Sequence, residues 1–261
     1  MRVQSKRLKK IPSVVQCSSN LIALNMKYKY LFTDLDDTLF DSSSLYEGAV
    51  FLAWQHFRKF HPEIDLDLFK NTFLEVRTEL KEKYKYTTLS HQRAILFMRL
   101  LEKFNISFDA SLVLQLHDIY WFTVNTYIQP FPHTYEVLQK VRDNGIGVLA
   151  LSDGTIVDRL EKIDAVKLSP YIDLLVASEE VIDTKPKSAV FELALQKSGC
   201  EKKDVIFLGN SFKADVFGGE SFGIDTIWMN KEEEPIPKDM SVTPDYIIKD
   251  IQEILPILGI E

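Results

Sequence analysis

The stretch Tyr30-Leu31-Phe32-Thr33-Asp34-Leu35-Asp36-Asp37-Thr38-Leu39-Phe40-Asp41 decides the fold. An apolar run typical of a buried strand stops at Asp34, and Asp36, Asp37 and Thr38 follow at once. Carboxylates are seldom buried without a partner. Crowding three at the end of a core strand costs stability unless a cation or a reaction uses them. In open α/β sheets, ligands bind at the carboxyl ends of the strands. The plain alternative is a strand ending in an acidic turn with a helix cap.

Downstream, Ser44 and Glu47 have capping-box spacing and open a helical pattern. Four helical stretches are expected, at roughly 44–60, 66–84, 88–104 and 109–128. Leu45, Ala49, Leu52, Ala53 and Phe57 recur at three and four residues in the first. Asp65 suits the cap of the second, and Thr87 or Thr88 that of the third. Residues 42–128 therefore read as a helical domain of four-helix type inserted after the acidic stretch. Pro130 and Pro132 end it. Strand and helix then alternate: strands at 146–151, 173–177, 205–208, 226–229 and 246–248, and helices at about 133–143, 155–166, 187–198, 212–222 and 250–257. That rhythm predicts an α/β core of residues 26–41 and 129–261, built as a doubly wound, Rossmann-like parallel sheet.

The 261 residues suffice for such a core plus one insertion. A composition of 46% hydrophobic and 26% charged residues is ordinary for a globular protein. No apolar run approaches the ~20 residues that span a bilayer. Residues 1–30 hold seven Lys/Arg and no acid, leaving 24 Lys/Arg against 38 Asp/Glu, a net of −14, on the other 231. An acidic body argues against nucleic acid as a partner but leaves a small phosphorylated metabolite open. Cys17 and Cys200 have no metal-ligand spacing and suggest a reducing, cytoplasmic setting. Residues 1–25 read as a flexible basic tail. It is either an organelle transit peptide or a segment upstream of a natural start at Met26. A monomer and a homodimer are both open.

Three more strand ends carry polar residues suited to phosphoryl transfer. Ser152-Asp153-Gly154 offers a hydroxyl and backbone N–H groups to a phosphate, but is also an ordinary turn. Thr184-Lys185-Pro186-Lys187 offers a fixed positive charge at Lys185, although loop lysines are usually solvated. Gly209-Asn210-Ser211-Phe212-Lys213-Ala214-Asp215 offers oxygen donors of the kind Mg²⁺ takes at Asn210 and Asp215. A helix capped by Asn210 or Ser211 is the local alternative there.

In this order, with a helical insertion after the first, these motifs resemble the haloacid-dehalogenase-like (HAD) superfamily over residues 28–259. The arrangement looks like the subfamily with a helical cap after the first motif. The resemblance implies a Mg²⁺-dependent phosphatase with an aspartyl-phosphate intermediate. It makes Asp34 the nucleophile, Asp36 the acid/base and Lys185 the catalytic cation. It gives phosphate binding to Ser152, Asp153 and Lys185, and Mg²⁺ to Asp34, Asp36, Asn210 and Asp215. Those roles make physical sense. Asp34 attacking phosphorus splits hydrolysis into two easier steps, and Asp36 can serve both as acid and as base. Two unit charges 4 Å apart repel by about 4 kcal/mol at an effective dielectric of 20, and a dianion by roughly twice that, so Mg²⁺ and Lys185 are needed as neutralisers. An acid at Asp36 favours phosphate over halide as the leaving chemistry. Asn210 stands where the family usually has Asp, which implies weaker metal affinity. A phosphotransferase, a phosphomutase or a phosphate-binding protein without turnover are the alternatives. His91, Arg93, Trp54 and Tyr46 are the insertion's candidates to face the site, with helix-surface solvation or packing within the cap as the alternative for each, and Asp37 is expected to be structural.

Overall fold

The computed structural model describes residues 26–261, so the tail expected over 1–25 lies outside it. The elements in chain order are β1 (Tyr30–Thr33), β2 (Phe40–Asp41), α1 (Tyr46–Phe57), α2 (Leu66–Lys83), α3 (Arg93–Lys103), α4 (Ala110–Tyr127) and β3 (Gln129–Pro130). Then follow α5 (Thr134–Asp143), β4 (Gly147–Ser152), α6 (Ile156–Ala165), β5 (Leu174–Ala177), α7 (Ser188–Ser198), β6 (Val205–Gly209), α8 (Phe217–Phe222), β7 (Asp225–Met229), β8 (Tyr246–Ile248) and α9 (Ile254–Ile257).

Six strands form one sheet in the order β5-β4-β1-β6-β7-β8, every pair parallel. β1 is central because its residues Leu31, Phe32 and Thr33 are buried on both faces, as parallel sheets require. Alternate residues serve opposite layers. Leu31, Val148, Ala150, Ile206 and Leu208 share a core with Val137, Leu138 and Val141 of α5. Phe32, Leu149, Leu151 and Phe207 pack with Val190, Phe191 and Ala194 of α7. The sheet is thus wound on both faces, as the strand–helix rhythm predicted.

The α1–α4 bundle has its own apolar interior. Phe57, Phe69 and Phe104 meet with ring centroids 5.2–6.3 Å apart, and Phe73, Phe97 and Tyr120 do so at 5.9–6.2 Å. The short antiparallel pair β2–β3 ties the bundle's entry to its exit, pairing Phe40 with Pro130 and Asp41 with Gln129. Two-residue strands have no period, and the sequence did not announce them.

Capping separates expectation from fact at several ends. Asp65 accepts from Leu68 N–H at 2.8 Å, as expected. The Ser44–Glu47 box does not form: Ser44 N–H goes to the Asp41 carboxylate and Glu47 pairs with Lys70. α3 starts at Arg93 behind Gln92, and neither Thr87 nor Thr88 caps it, because residues 88–91 form a separate 3₁₀ turn. After β6, Ser211 and not Asn210 is the cap, and residues 212–216 form a π-turn before α8.

Candidate active site

β1 ends at Asp34, whose N–H still reaches across to the Leu208 carbonyl of β6 at 2.8 Å. The central ladder therefore fixes the Asp34 backbone, while its carboxylate, 7% exposed as a residue, opens on a cavity of about 330 Å³. One wall of that cavity is the carboxyl edge of the sheet; the other is formed by α1, α2, α4 and the turn leading into α3.

Lys185 sits directly across from Asp34. Its ammonium has three hydrogens and three acceptors: Asp34 Oδ1 at 2.6 Å, Asp215 Oδ1 at 2.7 Å and the Leu151 carbonyl at 3.1 Å. Burial pulls the Lys185 amine down, but the Asp215 and Asp34 carboxylates outweigh it and hold the amine above its ordinary range. One ammonium cannot neutralise two carboxylates. Burial and the partner's charge therefore push Asp34 above the usual carboxylate range, against the pull of Lys185. Asp215 is likewise raised by burial. Asp215 Oδ2 accepts from Ser211 N–H at 2.9 Å, a bond made possible by the turn after β6. Gly209 belongs to that turn for a steric reason: a Cβ there would lie 2.4 Å from Asp215 Cβ and Cγ.

Asp153 is spent on the loop that carries Lys185, its Oδ1 accepting from Lys185 N–H at 3.0 Å. Burial pushes it up to about 6. Asp37 is structural, as expected: its carboxylate accepts from Ser42 N–H at 3.0 Å, from Ser43 N–H at 2.9 Å and from the Ser43 hydroxyl. It thereby holds the first turn of the helical insertion to the strand end.

Asp36 departs most from expectation. Its two oxygens are taken by Arg159 Nη1 and Lys162 Nζ, both from α6. Burial alone would raise this carboxyl, but Arg159 and Lys162 hold it well below the usual range. Arg159 Nη1 also reaches Ser152 Oγ at 3.2 Å, and Lys162 Nζ reaches the Tyr46 hydroxyl at 3.3 Å. Neither Arg159 nor Lys162 was marked by the sequence reading. The available signal was two cations at i and i+3 on the helix that follows Ser152-Asp153-Gly154.

Asn210 Oδ1 faces Asp34. The Thr38 hydroxyl stands 3.2 Å from Asn210 Oδ1 and 3.4 Å from Asp34 Oδ2. One hydroxyl hydrogen cannot satisfy both oxygens, so a hard oxygen donor is left over, which suits a small divalent cation. Among the described residues no three His, Cys, Asp or Glu side chains converge as a metal site. The oxygens gathered at this end of the cavity are those of the Asp34 and Asp215 carboxylates and the Asn210 amide. The Asp36 carboxylate is turned instead to its two cations. Of the insertion's candidates, Tyr46, His91 and Arg93 line the cavity, whereas Trp54 does not: its indole N–H donates to the Ile64 carbonyl at 3.1 Å.

Fold and site together define a doubly wound α/β protein with a buried carboxylate cluster at the end of the central strand, under a helical insertion. A family model described as haloacid dehalogenase-like hydrolase matches residues 28–223. The chain belongs to that family. It is 26% identical to the ribulose-1,5-bisphosphate 5-phosphatase of Halopiger xanaduensis over 77% of this chain and 84% of that protein. It is 25% identical to the glyceraldehyde 3-phosphate phosphatase of Pyrococcus furiosus over 89% and 93% respectively. The fold matches the crystal structure of a HAD phosphatase from Thermococcus onnurineus with a TM-score of 0.69 at 23% identity, covering 89% of this chain and 99% of that one. Among the described residues no helix is long and apolar enough to cross a membrane.

Proposed function

We propose that this chain is a phosphatase that hydrolyses a small phosphomonoester through an aspartyl-phosphate on Asp34, with residues 42–128 acting as a cap over the site. The observation that carries the reading is the buried Asp34–Lys185–Asp215 cluster lining the 330 Å³ cavity. The names of its phosphatase relatives point the same way. A cavity of this size sits at the lower end of the range for small-molecule sites.

In the first step an Asp34 oxygen bonds to phosphorus as the phosphorus–oxygen ester bond breaks, and the leaving alkoxide takes a proton. In the second, water attacks the same phosphorus, Asp34 leaves as carboxylate, and inorganic phosphate is released. Lys185 favours the anionic, attacking form of Asp34 against the effect of burial, and offsets charge on the transferring group. The Ser152 hydroxyl and the Arg159 guanidinium border the cavity where phosphate oxygens would lie. Asp36 is the acid/base. With both cations on it, Asp36 is held as a base. A substrate phosphate that draws Arg159 toward itself weakens that hold and restores proton affinity to Asp36. Mg²⁺ would be held by Asp34, Asn210 and Asp215, and when bound it supplies positive charge at the transferring phosphoryl group.

The test is a panel of phosphorylated metabolites assayed for inorganic phosphate with and without Mg²⁺. Release of phosphate that needs both Mg²⁺ and Asp34 is expected, together with tight binding of beryllium fluoride as a mimic of the phosphorylated Asp34. A folded protein that releases phosphate from none of them refutes the reading, and transfer of the phosphoryl group to an added alcohol in place of water redirects it to phosphotransfer.

A further inference from the structure

The two walls of the cavity are not equivalent in charge. On the sheet side every acid has a partner: Lys185 answers Asp34 and Asp215, Arg159 and Lys162 answer Asp36, and backbone N–H groups answer Asp37. On the helical side stand three cations, Arg77 and Lys81 of α2 and Arg93 at the start of α3. None of the three makes an ion pair with any described residue. Arg77 and Lys81 are four residues apart and so share one face of α2.

Arg93 is the most telling. It is only 8% exposed, and its Nε has no acceptor. Nη1 has only the His91 carbonyl, at a long 3.3 Å. The guanidinium lies 5.3 Å from the Tyr120 ring centroid and 5.7 Å from that of Trp121. Those rings tolerate the charge and orient the fork, and Tyr120 takes a hydrogen bond from it, but neither supplies a carboxylate to pair with it. A guanidinium so buried is costly unless a carboxylate or a ligand answers it. Asp158 acts on it from a distance without pairing. His91 contributes no charge of either sign, because burial and the neighbouring Arg93 and Arg159 keep it neutral. The field of the helical wall is therefore uncompensated and positive, on the far side of the cavity from Asp34.

We propose that Arg93, supported by Arg77 and Lys81, is a second anion-binding subsite, and that the substrate is a phosphomonoester carrying a further anionic group, a carboxylate or a second phosphate, that docks there. Arg93 suits either group, since its planar fork matches both bidentately. The subsite rests on the phosphatase reading for its consequence in turnover but not for its existence, because ligand binding can be measured without chemistry.

Two experiments on the full chain with Mg²⁺ test it. The first uses calorimetry with non-hydrolysable phosphonates: phosphonoacetate, methylenebisphosphonate and methylphosphonate. Wild type binds one of the doubly functional anions at least tenfold more tightly than methylphosphonate, and which of the two wins tells carboxylate from phosphate. Arg93→Met brings that ratio to within about threefold. The second compares kcat/KM for phosphoglycolate and a bisphosphate with that for ethyl phosphate, where the same collapse of preference, carried by KM, is expected. The double variant Arg77→Ala/Lys81→Ala alters one half-buried and one exposed side chain, and it lowers the ratio even if Arg93→Met fails to fold. Absence of any preference in wild type, or a preference that survives both sets of substitutions, overturns the subsite. Preference in binding without turnover of any ester keeps the subsite and refutes the phosphatase.

Discussion

Neutralising an active-site carboxylate usually relieves like-charge crowding and stabilises a protein. Asp36→Asn should do the opposite. Asp36 is the counter-ion of two cations that are themselves almost wholly removed from water, Arg159 at 6% and Lys162 at 0% side-chain exposure. Removing one partner of a buried pair costs roughly 3–5 kcal/mol, because a charge is left uncompensated. The Asn oxygen still accepts one hydrogen bond, and Asp36 is 21% exposed, so the low end, about 3 kcal/mol, applies. For a chain of this size that is a fall in Tm of roughly 6–12 °C. The pH dependence is a second signature. Burial already holds the Lys162 amine below its ordinary range, against the pull of Asp36. Without Asp36 it falls further. The unfolded chain then holds the extra proton across the window between the folded value and the ordinary amine value, so the variant gains stability as pH rises through that window. The deficit is largest near pH 6 and narrows toward pH 10, without closing, since Arg159 keeps its charge. Thermal unfolding followed by circular dichroism in phosphate-free buffer measures it. A variant as stable as wild type at pH 6, or a deficit that grows with pH, refutes the electrostatic account of Asp36.

Lys185→Met leaves Asp34 and Asp215 buried together without a cation. Both acids then sit further above their unfolded values, so the stability that protonation confers is present at low pH and lost as pH rises. The variant's deficit in urea unfolding should widen from pH 5 to pH 8, reaching about 3–5 kcal/mol, and a pH-independent deficit counts against the cluster. Asp153, raised to about 6 by burial, destabilises the folded state once ionised, and an Asn can still accept from Lys185 N–H. Asp153→Asn should therefore gain about 1–3 kcal/mol relative to wild type between pH 4 and pH 7, and an identical difference at the two pH values would contradict this. Asn210→Asp adds a carboxylate beside Asp34 and should lower the Mg²⁺ concentration needed for half-maximal activity by at least severalfold, while reducing stability in EDTA. Equal metal dependence in the two proteins removes Asn210 from the donor set.

What the sequence disclosed follows from which periodicities are rigid. A parallel strand buried on both faces is a continuous apolar run, so β1, β4 and β6 were visible, and the polar residues at their carboxyl ends had only one place to go. Asp34, Ser152 and Asn210 were therefore visible as polar strand ends, while their roles, and that of the downstream Asp215, came from the order of the motifs and the family resemblance. Helix rotation offers no such guarantee. α6 turns Val157 and Leu160 to solvent, 61% and 52% exposed, and sends Arg159 and Lys162 inward. An apolar pattern read along α6 predicts the reverse and assigns both cations to a solvated face. The inversion holds because Asp36 and the Tyr46 hydroxyl offer the Lys162 ammonium buried acceptors that only the tertiary fold supplies. Arg93 was a candidate to face the site, but only its packing against Tyr120 and Trp121 shows that its guanidinium is enclosed. The proposed nucleophile, Asp34, is thus written at a strand end. The protonation state of Asp36, its proposed acid/base partner, and the charge the cavity presents depend on helix faces that the hydrophobic pattern misplaces.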